Sequence, residues 1–202
     1  LQLHRYGGAE VVVGVAALPG GDGQARDLLK AGDDELVQIS EDHSLVHGFK
    51  DGKLDVVSDI KSTEDMARAD MGLTEFSVKK IKDLAKSDKP FFLEHAFMKV
   101  HTDNYAHPDL KGMSASKYPY KDAVCEVDME IGMVMKALDE AGVLENTLVF
   151  VTSDNGPQMD GWPDAGYTPF RGAKGTTWEG GVRIPGIAYW KGMIKPGRVS
   201  DD

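Results

Sequence analysis

The run Thr147-Leu148-Val149-Phe150-Val151-Thr152 limits what this chain can fold into more than any other stretch. It is apolar and β-branched, which dictates a buried strand. It breaks at once into Ser153-Asp154-Asn155-Gly156. Asp and Asn at the end of a buried strand are two hard oxygen donors on a rigid base, a pairing suited to Ca²⁺ or Mg²⁺. Further on comes Phe170-Arg171-Gly172-Ala173-Lys174-Gly175-Thr176-Thr177, a basic turn spaced by glycines. Small residues let backbone approach an anion, and Lys174 supplies a point charge. A cation and a lysine near one strand end make a site for a charged oxyanion ester.

The elements around this stretch alternate. Val78, Ile81, Leu84 and Ala85 recur at helical spacing after a helix start at Thr74-Glu75, and Ser87-Asp88-Lys89-Pro90 stops that helix. The lysines Lys79, Lys80, Lys82 and Lys86 read as a solvated face. Phe91 to Phe97 is a short buried strand. It runs into Met98-Lys99-Val100-His101 and a polar loop holding Asn104, His107 and Pro108. Sites in open α/β sheets are built where strands end, which makes Lys99 and His101 candidates. Ser114 to Tyr120 is a connector. A long helix follows from about Tyr120 to Ala141, with Val124, Val127, Ile131, Val134 and Leu138 as its apolar stripe and Gly142 as its C-terminal cap. Asp128, Glu130 and Glu140 read as surface charges, and Met129, Met133 and Met135 as packing or filler. Gly186 to Trp190 is another strand. Helix-then-strand order implies α/β layers.

Residues 1–58 are harder to read. Val11 to Leu18 has the pattern of a buried strand, Pro19 to Gly23 of a loop, and Gln24 to Lys30 of a short helix. Asp33-Asp34 looks like a metal-ligand pair. It follows Lys30-Ala31-Gly32 rather than a strand, so a solvated loop is expected. The 41% apolar content supplies a real core, and no run is long enough to span a membrane. A formal net charge of −10 argues against a nucleic-acid partner. The lone Cys125 excludes an internal disulfide. Leu1-Gln2-Leu3-His4-Arg5 has no secretory signal.

From about Asp59 onward, the motifs KPFFLEHAFMKVH, SKYPYKDAVCEVD, LENTLVFVTSDNG and TPFRGAKGTTWEGGVRIPGIAYW resemble the C-terminal part of a sulfatase catalytic domain. The sulfatases in question are arylsulfatase-like members of the alkaline-phosphatase-like superfamily. Residues 59–202 carry the resemblance and residues 1–58 match poorly, although Val46-His47-Gly48-Phe49 resembles a segment that precedes the middle of the family. The resemblance implies a layered α/β/α fold with a mixed, mostly parallel sheet, incomplete at its N-terminus. It implies that Asp154 and Asn155 are metal ligands, with Ca²⁺ usual and Mg²⁺ the alternative. Lys174 then contacts the sulfate. His101 lies beside it and assists proton transfer at the ester oxygen, and Lys99 belongs to the same substrate-binding motif. Arg171 and Glu179 hold the turn. The implied partner is a small-molecule or glycan sulfate ester, and the implied location is periplasmic or secreted.

The chemistry agrees with these residues. A cation and a lysine stabilise negative charge on the peripheral oxygens of a sulfate monoester. A histidine with a reference pKa near ~6.5 serves as general acid. The family's nucleophile is a formylglycine made from Cys or Ser in a C/S-x-P-x-R motif, and that motif is absent. Cys125 is followed by Glu126-Val127-Asp128-Met129 and lies on the long helix. The N-terminal acidic pair and the G-K-x-H motif of the family are absent too. The expectation is a truncated sulfatase, inactive on its own. Two alternatives stand beside it: a phosphodiesterase or phosphonate-ester hydrolase of the same superfamily, and a non-catalytic metal- and anion-binding remnant.

Overall fold

A computed structural model describes residues 11–17, 36–39, 44–49, 53–101, 105–159 and 166–200. The expected loop at Pro19, the helix at Gln24 to Lys30, the Asp33-Asp34 pair and Asn104 lie outside the described residues. Two sheets are present. The larger has four strands in the order β5 (Phe91–Phe97), β1 (Val11–Ala17), β6 (Thr147–Ser153) and β7 (Gly186–Tyr189). The smaller joins β2 (Leu36–Ile39), β3 (Ser44–Gly48) and β4 (Leu54–Asp59), with an irregularity between Leu45 and Val46.

The α/β expectation holds, and the strand directions differ from a mostly parallel sheet. Every described pairing is antiparallel. β1 lies between β5 and β6 and runs against both, so β5 and β6 run parallel to each other without touching. The strands at Phe91, Thr147 and Gly186 fall where the pattern puts them.

Helix α1 (Thr63–Leu84) begins eleven residues before the expected start at Thr74. Ser62 caps it, accepting a hydrogen bond from the Asp65 amide at 3.1 Å, while the Lys61 amide donates to Asp65 Oδ2 at 3.1 Å. The pair resembles a capping box, with the return bond taken from the amide before the cap. Thr74 is a mid-helix residue that is fully buried. The helix face turned inward is Asp70, Thr74, Ser77 and Ile81, and its polar members hide the helical pattern.

Helix α2 (Pro119–Glu140) opens on a proline whose missing N–H costs nothing at that position. It closes on Gly142 at φ +72°, where the Gly142 amide donates to Asp139 O and the Val143 amide to Leu138 O. That is the Schellman arrangement, which favours glycine because an L side chain is strained there. Two expectations for α2 are corrected. Val124 is 43% exposed, and Glu130 is fully buried rather than a surface charge. Asp128 and Glu140 are exposed as expected, and Met135 packs against the core.

That core joins Ile81 of α1, Phe91 and Phe97 of β5, Val149 of β6, and Val127, Val134, Ala137 and Leu138 of α2. Each large apolar side chain fully removed from water there contributes about 1.5–3 kcal/mol. Alternate residues of β5 and β6 face the helices, so both helices lie on one side of the sheet.

Candidate functional site

Phe97 of β5 and Ser153 of β6 both sit opposite Val11. The two parallel strands therefore end level, separated by β1. Two strand spacings put their ends about 10 Å apart. Asp154 and Asn155 leave from one end and the Met98–His101 turn leaves from the other. In that turn the His101 amide donates to Met98 O at 3.2 Å. The sheet thus delivers His101, Asp154 and Asn155 to the same edge.

A backbone seam brings the lysine turn to Asp154-Asn155-Gly156. The Gly156 amide donates to Gly181 O at 2.9 Å, and the Lys174 amide donates to Pro157 O at 3.1 Å. Thr152 Oγ1 donates to Pro185 O at 3.0 Å, extending the seam into β6. A methyl group on Gly156 would fall 2.0 Å from Gly180 O, and one on Gly181 would fall 2.3 Å from Thr176 O. The turn closes on itself as well. The Gly180 amide donates to Arg171 O at 2.8 Å and Thr176 Oγ1 donates to Ala173 O at 2.8 Å. The Arg171 guanidinium stacks 3.9 Å from the Trp178 ring centre, and that of Arg183 lies 4.6 Å from Phe170. A short helix, α3 (Glu179–Val182), carries the Gly180-Gly181 pair. Sequence reasoning found the lysine and missed the glycines that seat it. The adjacent pair Gly180-Gly181 was the available signal.

Asp154 is exposed and Asn155 half-buried. The Asn155 side-chain nitrogen donates to Gly156 O at 2.9 Å, a bond that does not engage its side-chain oxygen. Two oxygen donors on one strand end match a hard cation in kind. The described residues contain no cluster of three or more His, Cys, Asp or Glu side chains placed to hold a metal.

Lys99 is placed elsewhere than the sequence suggested. It is fully buried, and its ammonium donates to Ala67 O at 3.0 Å and Asp70 Oδ2 at 3.1 Å and lies 3.2 Å from Glu126 Oε1. These partners come from α1 and α2, so the charge is spent inside the molecule rather than offered to a substrate. Around it lie more buried polar groups. The Ser77 hydroxyl meets His95 Nδ1 at 2.8 Å, His95 Nε2 meets Thr74 Oγ1 at 3.3 Å, and Thr74 donates to Glu130 Oε2 at 2.6 Å. Burial lowers the His95 pKa from 6.5 to about 4, against an opposing pull from Asp70. Burial also raises Glu130 from 4.5 to about 8, with nearby Asp70 and Glu126 adding to the rise and Thr74 and Lys99 opposing it. Burial therefore favours the neutral form of both groups.

A strand-end pair of oxygen-bearing side chains is thus seamed to a lysine turn on an α/β scaffold with helices packed on one sheet face. The Sulfatase family model matches residues 33–202, and the chain belongs to the sulfatase family. Rat steryl-sulfatase is 39% identical over 139 residues, which are 65% of this chain and 24% of that protein. Human arylsulfatase A is 39% identical over 120 residues, 57% of this chain and 23% of that protein. Dog N-acetylgalactosamine-6-sulfatase is 42% identical over 122 residues, 59% of this chain and 23% of that protein. The chain therefore spans about a quarter of the length of these relatives. Among solved structures, the PsFucS1 sulfatase from Pseudoalteromonas sp. superposes with a TM-score of 0.72 at 54% identity, covering 75% of this chain and 30% of that one. Ps i-CgsB, solved with k-i-k-neocarrahexaose, gives a TM-score of 0.56 at 26% identity, covering 68% of this chain and 31% of that one.

Proposed function

We propose that this chain carries the metal- and anion-binding side of a site that hydrolyses sulfate monoesters. The observation that carries the reading is the seam: Gly156 to Gly181 and Lys174 to Pro157 hold the Asp154-Asn155 strand end against the lysine turn. In this reading the Asp154 carboxylate and the Asn155 side-chain oxygen ligate a divalent cation, Ca²⁺ or alternatively Mg²⁺. The cation, when bound, would neutralise charge developing on the ester's peripheral oxygens. Lys174 contacts the sulfate. His101, beyond the end of β5 on the far side of β1, protonates the leaving oxygen. Lys99 is left out of substrate binding, because its partners are internal.

The 202 residues contain no C/S-x-P-x-R motif from which a formylglycine nucleophile could be made. We therefore expect no turnover of an aryl sulfate by this chain on its own. The relatives are named as steryl-, aryl- and N-acetylgalactosamine-6-sulfatases, so the substrate class we propose is a small-molecule or glycan sulfate ester. A periplasmic or secreted location accompanies this reading.

The test is thermal. Ca²⁺ in excess should raise the melting temperature, by about 2–3 kcal/mol of linkage at a hundredfold excess over Kd. Asp154→Ala should abolish the rise. A wild-type chain indifferent to both Ca²⁺ and Mg²⁺ would sink the metal assignment.

A further inference from the structure

We infer that Asp70 and Glu126, bridged by Lys99, are positioning residues that fasten the loop carrying His101 from both ends. Asp70 projects from α1. Its Oδ1 accepts from the Met98 amide at 2.7 Å, and its Oδ2 accepts from the Lys99 amide at 3.1 Å and the Lys99 ammonium at 3.1 Å. Glu126 projects from α2. Its Oε2 accepts from the His107 amide at 2.7 Å, and its Oε1 faces the Lys99 ammonium at 3.2 Å. The three side chains are fully buried. One carboxylate therefore grips the chain at Met98 and Lys99, before His101, the other grips it at His107, beyond it, and a single ammonium ties the two grips together.

Stability alone does not account for such a triad. Burying charges costs several kcal/mol per ion, and well-packed apolar side chains of the same volume serve a core equally well. What apolar side chains cannot do is accept hydrogen bonds from main-chain amides that lie beyond the strand ladder. Met98 and Lys99 follow β5 and His107 caps the 3-10 turn Pro108–Leu110, and among the described residues these three amides bond to the two carboxylates rather than to a strand or helix ladder. Charge-assisted bonds to buried carboxylates are the strong kind, and they fix direction as well as distance. A proton donor must be held within a fraction of an ångström of its working position. The triad meets that need without touching the ester.

The inference rests on the assignment of His101 to the ester site, and its test separates the two. Native-state amide exchange on the 202-residue chain should show Met98, Lys99 and His107 exchanging as slowly as the centre of α1. Asp70→Asn should speed exchange at Met98 and Lys99 by roughly tenfold or more, and Glu126→Gln should do so at His107. Each should also shift the His101 imidazole ¹⁵N resonances. Val134→Ala, which weakens the same core without touching the triad, should leave those resonances in place. Fast exchange at the three amides in the wild-type chain overturns the inference, whether or not the variants fold. An equal His101 shift in Val134→Ala overturns it as well. If inorganic sulfate leaves the wild-type His101 resonances unmoved while exchange stays slow, the ester assignment falls and the clamp stands.

Discussion

At the scale of single residues the site is governed by absent side chains as much as by present ones. Gly156 has no room for a Cβ beside Gly180 O, and Gly181 has none beside Thr176 O. The expected outcome of Gly156→Ala is a loss of about 1–3 kcal/mol in chemical denaturation, the usual cost of overpacking. Its Ca²⁺-induced stabilisation should vanish although Asp154 and Asn155 remain, because the seam has parted. A Gly156→Ala chain that still responds to Ca²⁺ would show that the seam does not set the ligand geometry. The strand end at Asp154-Asn155 and the turn at Lys174 were legible in the sequence because polar residues break an apolar run and glycines frame a lysine. The role of Lys99 was not legible. Its position after β5 resembles that of His101, and only its partners, one helix away on either side, show that its charge is already neutralised.

At the scale of elements the helices carry the surprises. Periodicity places α2 nearly to the residue, whereas α1 was foreseen at half its length because Asp70, Thr74 and Ser77 occupy its inward face. An apolar-stripe criterion sees those residues as solvent-facing. The Ser62–Asp65 capping pair was the local signal that would have found the true start. The buried face has a consequence for pH. Glu130 is an acid whose folded pKa lies above its unfolded one, so its contribution is fully present below pH 4.5 and is lost as pH rises toward 8. His95 has a lowered pKa, so its contribution is present above pH 6.5 and is lost as pH falls toward 4. Between 4.5 and 6.5 the two slopes oppose each other. Stability should therefore fall by about 1–2 kcal/mol between pH 6.5 and 8, followed by urea midpoints across that range. Glu130→Gln should flatten that decline while leaving stability near pH 4.5 little changed. A Glu130→Gln chain with the wild-type slope would rule the carboxyl out as its source.

At the scale of the whole molecule the two faces of the larger sheet differ. The helices cover one, burying Phe91, His95, Phe97 and Val149. On the other, Phe92 is 57% exposed and Phe150 43% exposed. Exposed aromatic surface of this kind takes up apolar dyes. The folded chain should bind 1-anilinonaphthalene-8-sulfonate through a cooperative melting transition. Phe92→Ser combined with Phe150→Ser should lower the fluorescence while shifting stability little, as surface substitutions usually do. Fluorescence unchanged in the double variant would place the dye elsewhere.

The sequence by itself determined the strands at Phe91, Thr147 and Gly186, the long helix α2, the strand-end Asp154-Asn155 pair, and the likeness to sulfatases. Each of these rests on local signals, namely period, β-branching, a glycine cap or a motif read in order. The tertiary structure decided the rest. It placed β1 antiparallel between β5 and β6, it joined the lysine turn to the strand end through Gly156 and Gly181, and it turned Asp70, Lys99, Glu126 and Glu130 inward. The physical reason is that a charged residue reads as a surface residue until its counter-charge is found. For Lys99, Asp70 lies 29 residues away along the chain and 3.1 Å away in space.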